Sequence, residues 1–150
     1  MKAKEPIPYG LQEIDKQDIK AVSKVLQSDF LTTGPFVKKF ERAFCKFTKA
    51  TFTTACSNGT SALHLACLAV GLKKGDWVIV PSITFLATAN AIRFCGAEVL
   101  FCDVDEHSGL ITQKELKKAI SEAKKASLNI KAVISVPVSY THLTLPTIPG

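Results

Sequence analysis

Three stretches of the 150-residue sequence combine small, hydroxyl-bearing and aromatic residues in ways that suit ligand binding. The first, Ser57-Asn58-Gly59-Thr60-Ser61, joins a β-rich run to an apolar helix. Small residues let a ligand approach the backbone, the unpaired amides of a first helical turn point outward, and two hydroxyls add donors. Together these would make a phosphate cradle at a helix N-terminus. The same residues would serve equally well as a plain helix cap, and their spacing does not separate the two readings. Neither a Gly-x-Gly-x-x-Gly run nor a P-loop accompanies them. The second stretch, Pro81-Ser82-Ile83-Thr84-Phe85-Leu86-Ala87-Thr88-Ala89-Asn90, follows a strand and opens the next helix. Phe85 there is either an aromatic wall for a flat ligand or ordinary core. The third, Cys102-Asp103-Val104-Asp105-Glu106, places carboxylates at a strand end. With no neighbouring base or metal ligand in the sequence, a hydrogen-bonded turn is favoured over acid–base chemistry. His64, inside an apolar helix, reads as a core histidine.

The elements that must position these stretches alternate. A helix from Asp15 to Gln27 carries Ile19, Val22, Val25 and Leu26 on one stripe, with Asp15 as its cap. After Ser28-Asp29-Phe30-Leu31-Thr32-Thr33-Gly34 a second helix starts at Pro35, striped by Val37, Phe40, Phe44 and Phe47. Both stripes predict burial. From residue 51 the pattern is β-rich (Thr51 to Cys56), helical (Thr60 to Val70, ended by Gly71), extended (Asp76 to Pro81), helical (Thr84 to Phe94, ended by Gly96) and extended again (Glu98 to Cys102). A helix opened by Thr112-Gln113-Lys114-Glu115 in capping-box form and a strand from Lys131 to Val136 complete the series. Strands alternating with helices predict an α/β fold with a mostly parallel sheet covered by helices on both faces. The helix at 60–70 is apolar nearly all round, which predicts deep burial. In such sheets ligands bind outside the carboxyl ends of the strands, where the three stretches lie.

Composition sets the outer bounds. With 47% hydrophobic and 21% charged residues the chain is of ordinary globular type, and its apolar runs are too interrupted for a membrane span. The N-terminal Met1-Lys2-Ala3-Lys4-Glu5-Pro6 has no signal-peptide core, so a cytoplasmic protein is expected. Five cysteines without Cys-x-x-Cys or paired histidines read as free thiols, with no metal site. The net charge of +6 comes mainly from helical-face pairs such as Lys38 and Lys39, without interleaved aromatics. That argues for a solvated face over nucleic-acid binding, while leaving a positive field for an anionic small molecule.

From Ile7 to about Val136 the chain resembles the sugar aminotransferases of the DegT/DnrJ/StrS family. The resemblance is carried by Ile7-Pro8-Tyr9-Gly10, Ser28-Asp29-Phe30-Leu31-Thr32-Thr33-Gly34-Pro35, Ser57-Asn58-Gly59-Thr60-Ser61-Ala62-Leu63-His64-Leu65, the whole of 81–90, and Gly96-Ala97-Glu98-Val99-Leu100-Phe101-Cys102-Asp103-Val104-Asp105. It implies the N-terminal part of a fold-type-I transferase large domain that binds pyridoxal 5'-phosphate (PLP). On these positions Asn58, Gly59, Thr60 and Ser61 would surround the cofactor phosphate and Phe85 would stack on its ring. Tyr9 and the loop Asp29, Phe30, Leu31, Thr32 would line a nucleotide-sugar pocket completed by the second subunit of a homodimer. The branch most resembled moves an amino group from glutamate to C4 of a UDP-linked 4-keto-6-deoxy-N-acetylhexosamine. Family members acting on other nucleotide sugars, as transaminases or dehydratases, share these motifs, and a non-catalytic phosphate-binding module is the reading from another class.

The resemblance also implies a division: an N-terminal segment and substrate loop (1–34), a partial PLP-binding domain (35–138), and a tail (139–150) foreign to the family. The family's aspartate for the pyridine nitrogen and its Schiff-base lysine have no counterpart in matching context. No catalytic residue is therefore assigned, and the 150-residue chain is expected to be inactive in transamination.

Overall fold

The computed structural model describes residues 12–136, which fall into two compact units divided between Ala55 and Cys56. Tyr9 and the segment 139–150 lie outside the described residues.

The first unit contains α1 (Lys16–Leu26) and α2 (Pro35–Thr48). Asp15 caps α1 by accepting from the amides of Gln17 and Asp18 at 2.6 and 2.9 Å, and Asp18 returns the bond to the Asp15 amide at 3.0 Å. This reciprocal arrangement satisfies donors that the helix itself leaves free. α2 begins at Pro35, whose missing amide costs nothing at a first-turn position. Neither helix has a buried residue. The stripes Ile19, Val22, Leu26 and Val37, Phe40, Phe44, Phe47 form as spaced but stay exposed, so the expectation of burial is not met within this unit. The expected strand at 51–56 is likewise absent, because its backbone finds no strand to pair with among the described residues. Only side-chain bonds hold that run. The amide of Ala55 donates to Glu41 Oε1 at 2.9 Å, and Cys45 Sγ lies 3.1 Å from Thr53 Oγ1.

The second unit is a three-stranded parallel sheet, as the alternation predicts. Its elements are α3 (Gly59–Ala69), β1 (Asp76–Pro81), α4 (Leu86–Phe94), β2 (Glu98–Cys102), α5 (Gln113–Lys125) and β3 (Asn129–Val133). The strand order is β2-β1-β3, so β1 is central and the chain crosses it between β2 and β3. Val78, Ile79 and Val80 are all 0% exposed. Successive strand residues point to opposite faces. Accordingly, Val78 and Val80 pack with Cys67, Ala91 and Ile92 of α3 and α4, while Ile79 packs with Cys102 and Ala119 of α5. Helices thus cover both faces. At the start of β1 the buried Asp76 accepts from the Lys73 amide at 3.1 Å and from Asn129 Nδ2 at 2.8 Å, tying β1 to β3.

Two local expectations are corrected here. α3 is not deeply buried, since Cys67 is its only buried residue and Leu65, Leu68 and Val70 are exposed. One side packs on α4 and the sheet, and no described element covers the other. At α5 the Thr112 hydroxyl gives no cap bond to the backbone and donates instead to the carboxylate of Glu115, so the capping box is not completed.

Candidate functional site

The loop after Cys56 is held by its own side chains. Asn58, extended at φ −166°, accepts from the Ser61 amide through Oδ1 at 2.8 Å, and its carbonyl accepts from the Ala62 amide at 3.1 Å. Asn58 Nδ2 donates to Ser57 Oγ at 3.2 Å, and Ser57 Oγ lies 3.3 Å from Ser61 Oγ. Two first-turn amides, those of Gly59 and Thr60, find no acceptor among the described residues. They are the free ends of the aligned peptide dipoles of α3, a partial positive charge that favours an anion. A Cβ placed on Gly59 would meet no atom within 4 Å, so the space beside Gly59 is open.

That space belongs to an open cavity of about 540 Å³ lined by Gly59, Thr60, Ala62, Leu63, Ala66, Phe85 and Ala87. The geometry follows from the fold. α3 contributes one helical stripe running down from its N-terminus (Gly59, Ala62, Leu63, Ala66). The segment leaving β1 contributes Phe85, which precedes α4 and is 76% exposed. A flat ligand with an anionic group can therefore lie against Phe85 and the small apolar floor while its anion meets the α3 amides. No charged side chain lines the cavity, so backbone amides and the Thr60 hydroxyl supply its polarity.

Of the residues singled out in the sequence, the cavity brings Gly59, Thr60 and Phe85 together. Asn58 and Ser61 sit beside it, with Asn58 spending its carbonyl oxygens on the cap. The floor residues Ala62, Leu63, Ala66 and Ala87 were not singled out, although their spacing from Gly59 at intervals of three and four marks the first three as one stripe. Asp29, Phe30, Leu31 and Thr32 lie in the exposed turn between α1 and α2 of the other unit. There Phe30 lines a groove of about 220 Å³ with Thr33, Gly34, Pro35 and Lys38. Gly34 is required by packing, because a Cβ would come within 2.9 Å of Phe30 Cβ and 3.2 Å of its carbonyl oxygen. Asp29, Leu31 and Thr32 do not line that groove, and Lys38 was read only as part of a charged helical face.

The third stretch is a turn. Asp105 Oδ1 accepts from the amides of His107 and Ser108 and from the Ser108 hydroxyl, at 3.2, 2.9 and 2.8 Å. The Ser108 amide, then its hydroxyl, hold the Asp105 carboxyl below its ordinary value. His64 is half-buried, edge-on to Phe94 with ring centres 5.5 Å apart. Burial is the main cause that pushes the Cys67 and Cys102 thiols up, as suits free structural cysteines. Among the described residues no cluster of His, Cys, Asp and Glu could hold a metal ion, and no helix is long and apolar enough to cross a membrane.

Comparison with known proteins places these features in context. A sequence model of the DegT/DnrJ/EryC1/StrS aminotransferase family matches residues 12–141. A DegT DnrJ EryC1 StrS aminotransferase from Brucella abortus is 36% identical, with a TM-score of 0.74 over 80% of this chain and 32% of that one. The PLP form of a Streptococcus pneumoniae protein described as a sugar aminotransferase is 30% identical, with a TM-score of 0.70 over 75% of this chain and 29% of that one. A GDP-4-keto-6-deoxymannose-3-dehydratase with a trapped PLP-glutamate geminal diamine is also 30% identical, with a TM-score of 0.70 over 76% of this chain and 31% of that one. The chain thus spans about a third of the length of these solved structures.

Proposed function

Because the chain belongs to the DegT/DnrJ/EryC1/StrS aminotransferase family, we propose that its second unit supplies the phosphate and ring subsites for pyridoxal phosphate in a nucleotide-sugar aminotransferase. The observation that carries this reading is the cavity that joins the free amides of Gly59 and Thr60 to the face of Phe85. The residues present fit the cofactor: an uncharged anion cradle, open space before Gly59, and an aromatic wall above a floor of small side chains. The α3 N-terminus would hold the phosphate, and the loop bonds of Asn58 keep that N-terminus in place without competing for the two free amides. Phe85 would offer the ring an apolar aromatic contact and keep water from it. When bound, the cofactor supplies an electron sink for the carbon that loses its proton.

The amino donor in this proposal is glutamate. The acceptor is a UDP-linked 4-keto-6-deoxy-N-acetylhexosamine, aminated at C4 as in pseudaminic acid biosynthesis, a choice that rests on the branch the sequence most resembles, since the motif runs themselves are shared across the family. Tyr9 and Asp29, Phe30, Leu31 and Thr32 are assigned to the sugar-nucleotide pocket, with the second subunit of a homodimer completing it, in a cytoplasmic enzyme. A second reading, dehydration of a keto-sugar, is favoured by the similarity to a 3-dehydratase. Product analysis separates the two, since amination adds nitrogen to the sugar and dehydration does not. No lysine in the 150 residues stands in the context of the family's reactive amine, so the role assigned to these residues is cofactor binding.

A titration with pyridoxal phosphate tests the binding claim. Thr60→Ala should weaken affinity by about 1–2 kcal/mol, the worth of one hydrogen bond to a charged group. Unchanged affinity removes the Thr60 hydroxyl from the phosphate site. Borohydride treatment of the 150-residue chain with the cofactor should leave no adduct at a single lysine. One specific adduct would overturn the claim that the reactive amine is missing.

A further inference from the structure

The wall residue Phe85 cannot cap α4, because its side chain has no acceptor, and α4 has no side-chain cap bond. The chain that carries it is nonetheless anchored on both sides. Upstream, the Ser82 amide donates to the Cys102 carbonyl at 2.8 Å, pinning the end of β1 to the end of β2. Downstream, Ala87 and Thr88 are buried, and the Thr88 amide donates to the Phe85 carbonyl at 3.0 Å. Between these anchors Ile83, Phe85 and Leu86 are exposed and make no side-chain hydrogen bond. One side-chain bond crosses the span: Thr84 Oγ1 donates to Thr88 Oγ1 at 2.9 Å. Thr88 is only 3% exposed, and a buried hydroxyl is costly unless hydrogen-bonded, which the Thr84 hydroxyl provides here.

We infer that Thr84 and Thr88 are positioning residues, whose hydroxyl pair clamps the peptide bearing Phe85 so that its ring forms the wall of the α3–α4 cavity. The inference rests on the cofactor reading above and extends it to two residues that do not line the cavity themselves. The hydroxyls lie at either side of Phe85 in sequence, four residues apart, so their bond closes a ring of backbone around it. Opening that ring removes the one bond between side chains across the span and leaves the backbone anchors at Ser82 and Thr88 to hold the helix start. The Phe85 backbone then fluctuates, and the ring loses its fixed angle to the α3 N-terminus.

The test compares Thr88→Val, which keeps the shape and loses the hydroxyl, with Thr88→Ser, which keeps the hydroxyl, in the 150-residue chain. Thr84→Val, at a half-buried position, serves if Thr88→Val fails to fold. Three readouts are taken: pyridoxal phosphate affinity, the circular dichroism induced in the bound cofactor, and amide hydrogen exchange at Thr88 in the free protein. We expect each valine variant to lose about five- to tenfold in affinity, together with the induced signal and the Thr88 protection, and serine to restore all three to about twofold of the parent. A merely structural role would lower the melting temperature and leave the induced signal of the bound cofactor unchanged. Valine variants that fold and match the parent within about twofold on all readouts overturn the inference. If the parent chain itself binds no pyridoxal phosphate, the cofactor reading fails separately. Exchange at Thr88 then decides the clamp, with unchanged protection in the valine variants overturning it and lost protection upholding it.

Discussion

Both units of this chain carry helices with apolar stripes, yet among the described residues only one unit has a core. In the unit after Cys56, β1 lies between two strands and under helices on both faces, and its three central residues are wholly buried. In the unit before it, α1 and α2 carry stripes of the same apolar quality and bury none of them, with Phe47 left 86% exposed. Periodicity is a property of one element, whereas burial is a property of two. The candidate cofactor cavity sits in the unit where that second condition is met.

The contrast can be broken most forcefully at β1. Ile79→Ala removes a wholly buried side chain between β1 and α5 and should destabilise the second unit by about 2–5 kcal/mol. Phe47→Ala, of larger volume change but at an exposed position, should stay within about 0.5 kcal/mol. Denaturant midpoints of the two variants check both. Comparable losses would mean that the α2 stripe is buried in solution.

A smaller effect is expected where the sheet is tied together by polar groups. Asp76→Ala strips the buried acceptor from the Lys73 amide and from Asn129 Nδ2 and should cost about 1–3 kcal/mol, the range for hydrogen bonds to a charged group. Its denaturant midpoint, read with hydrogen exchange along β3, would show whether the loss is local to the β1–β3 edge. The smallest effect lies at the Asp105 turn. Hydrogen bonds led by that of the Ser108 amide hold its folded pKa below the ordinary 3.8, so their contribution is complete above that value. It fades as pH falls through the lower folded value, since the proton then binds the unfolded chain more readily. Asp105→Asn should flatten that acid limb in a melting-temperature profile, and an unaltered profile would assign it to other carboxylates.

Many of the elements were legible in the sequence because each carried its own start and stop. Asp15, Pro35, Gly71 and Gly96 mark helix ends chemically, and the apolar run at 76–81 admits little but a buried strand. The turn at Asp105 was legible for the same local reason. What misled were features that depend on a partner. The run 51–56 has strand-like residues but no ladder, α3 has an apolar circumference but one packed side, and Thr112 chose the Glu115 carboxylate over the backbone. At the site, Gly59, Thr60 and Phe85 stood out by type, and the structure shows them lining one cavity. The clamp of Thr84 and Thr88 did not stand out, since an i, i+4 hydroxyl pair acquires meaning only once Phe85 is seen between them.

The central claim is that the α3 N-terminus and Phe85 form one site for pyridoxal phosphate. An amide-resolved NMR titration of the 150-residue chain with that cofactor tests it most directly. The account predicts that the Gly59 and Thr60 amides move first and furthest, saturating together with the Phe85 ring signals. Saturable shifts elsewhere, with those two amides unmoved, would contradict it.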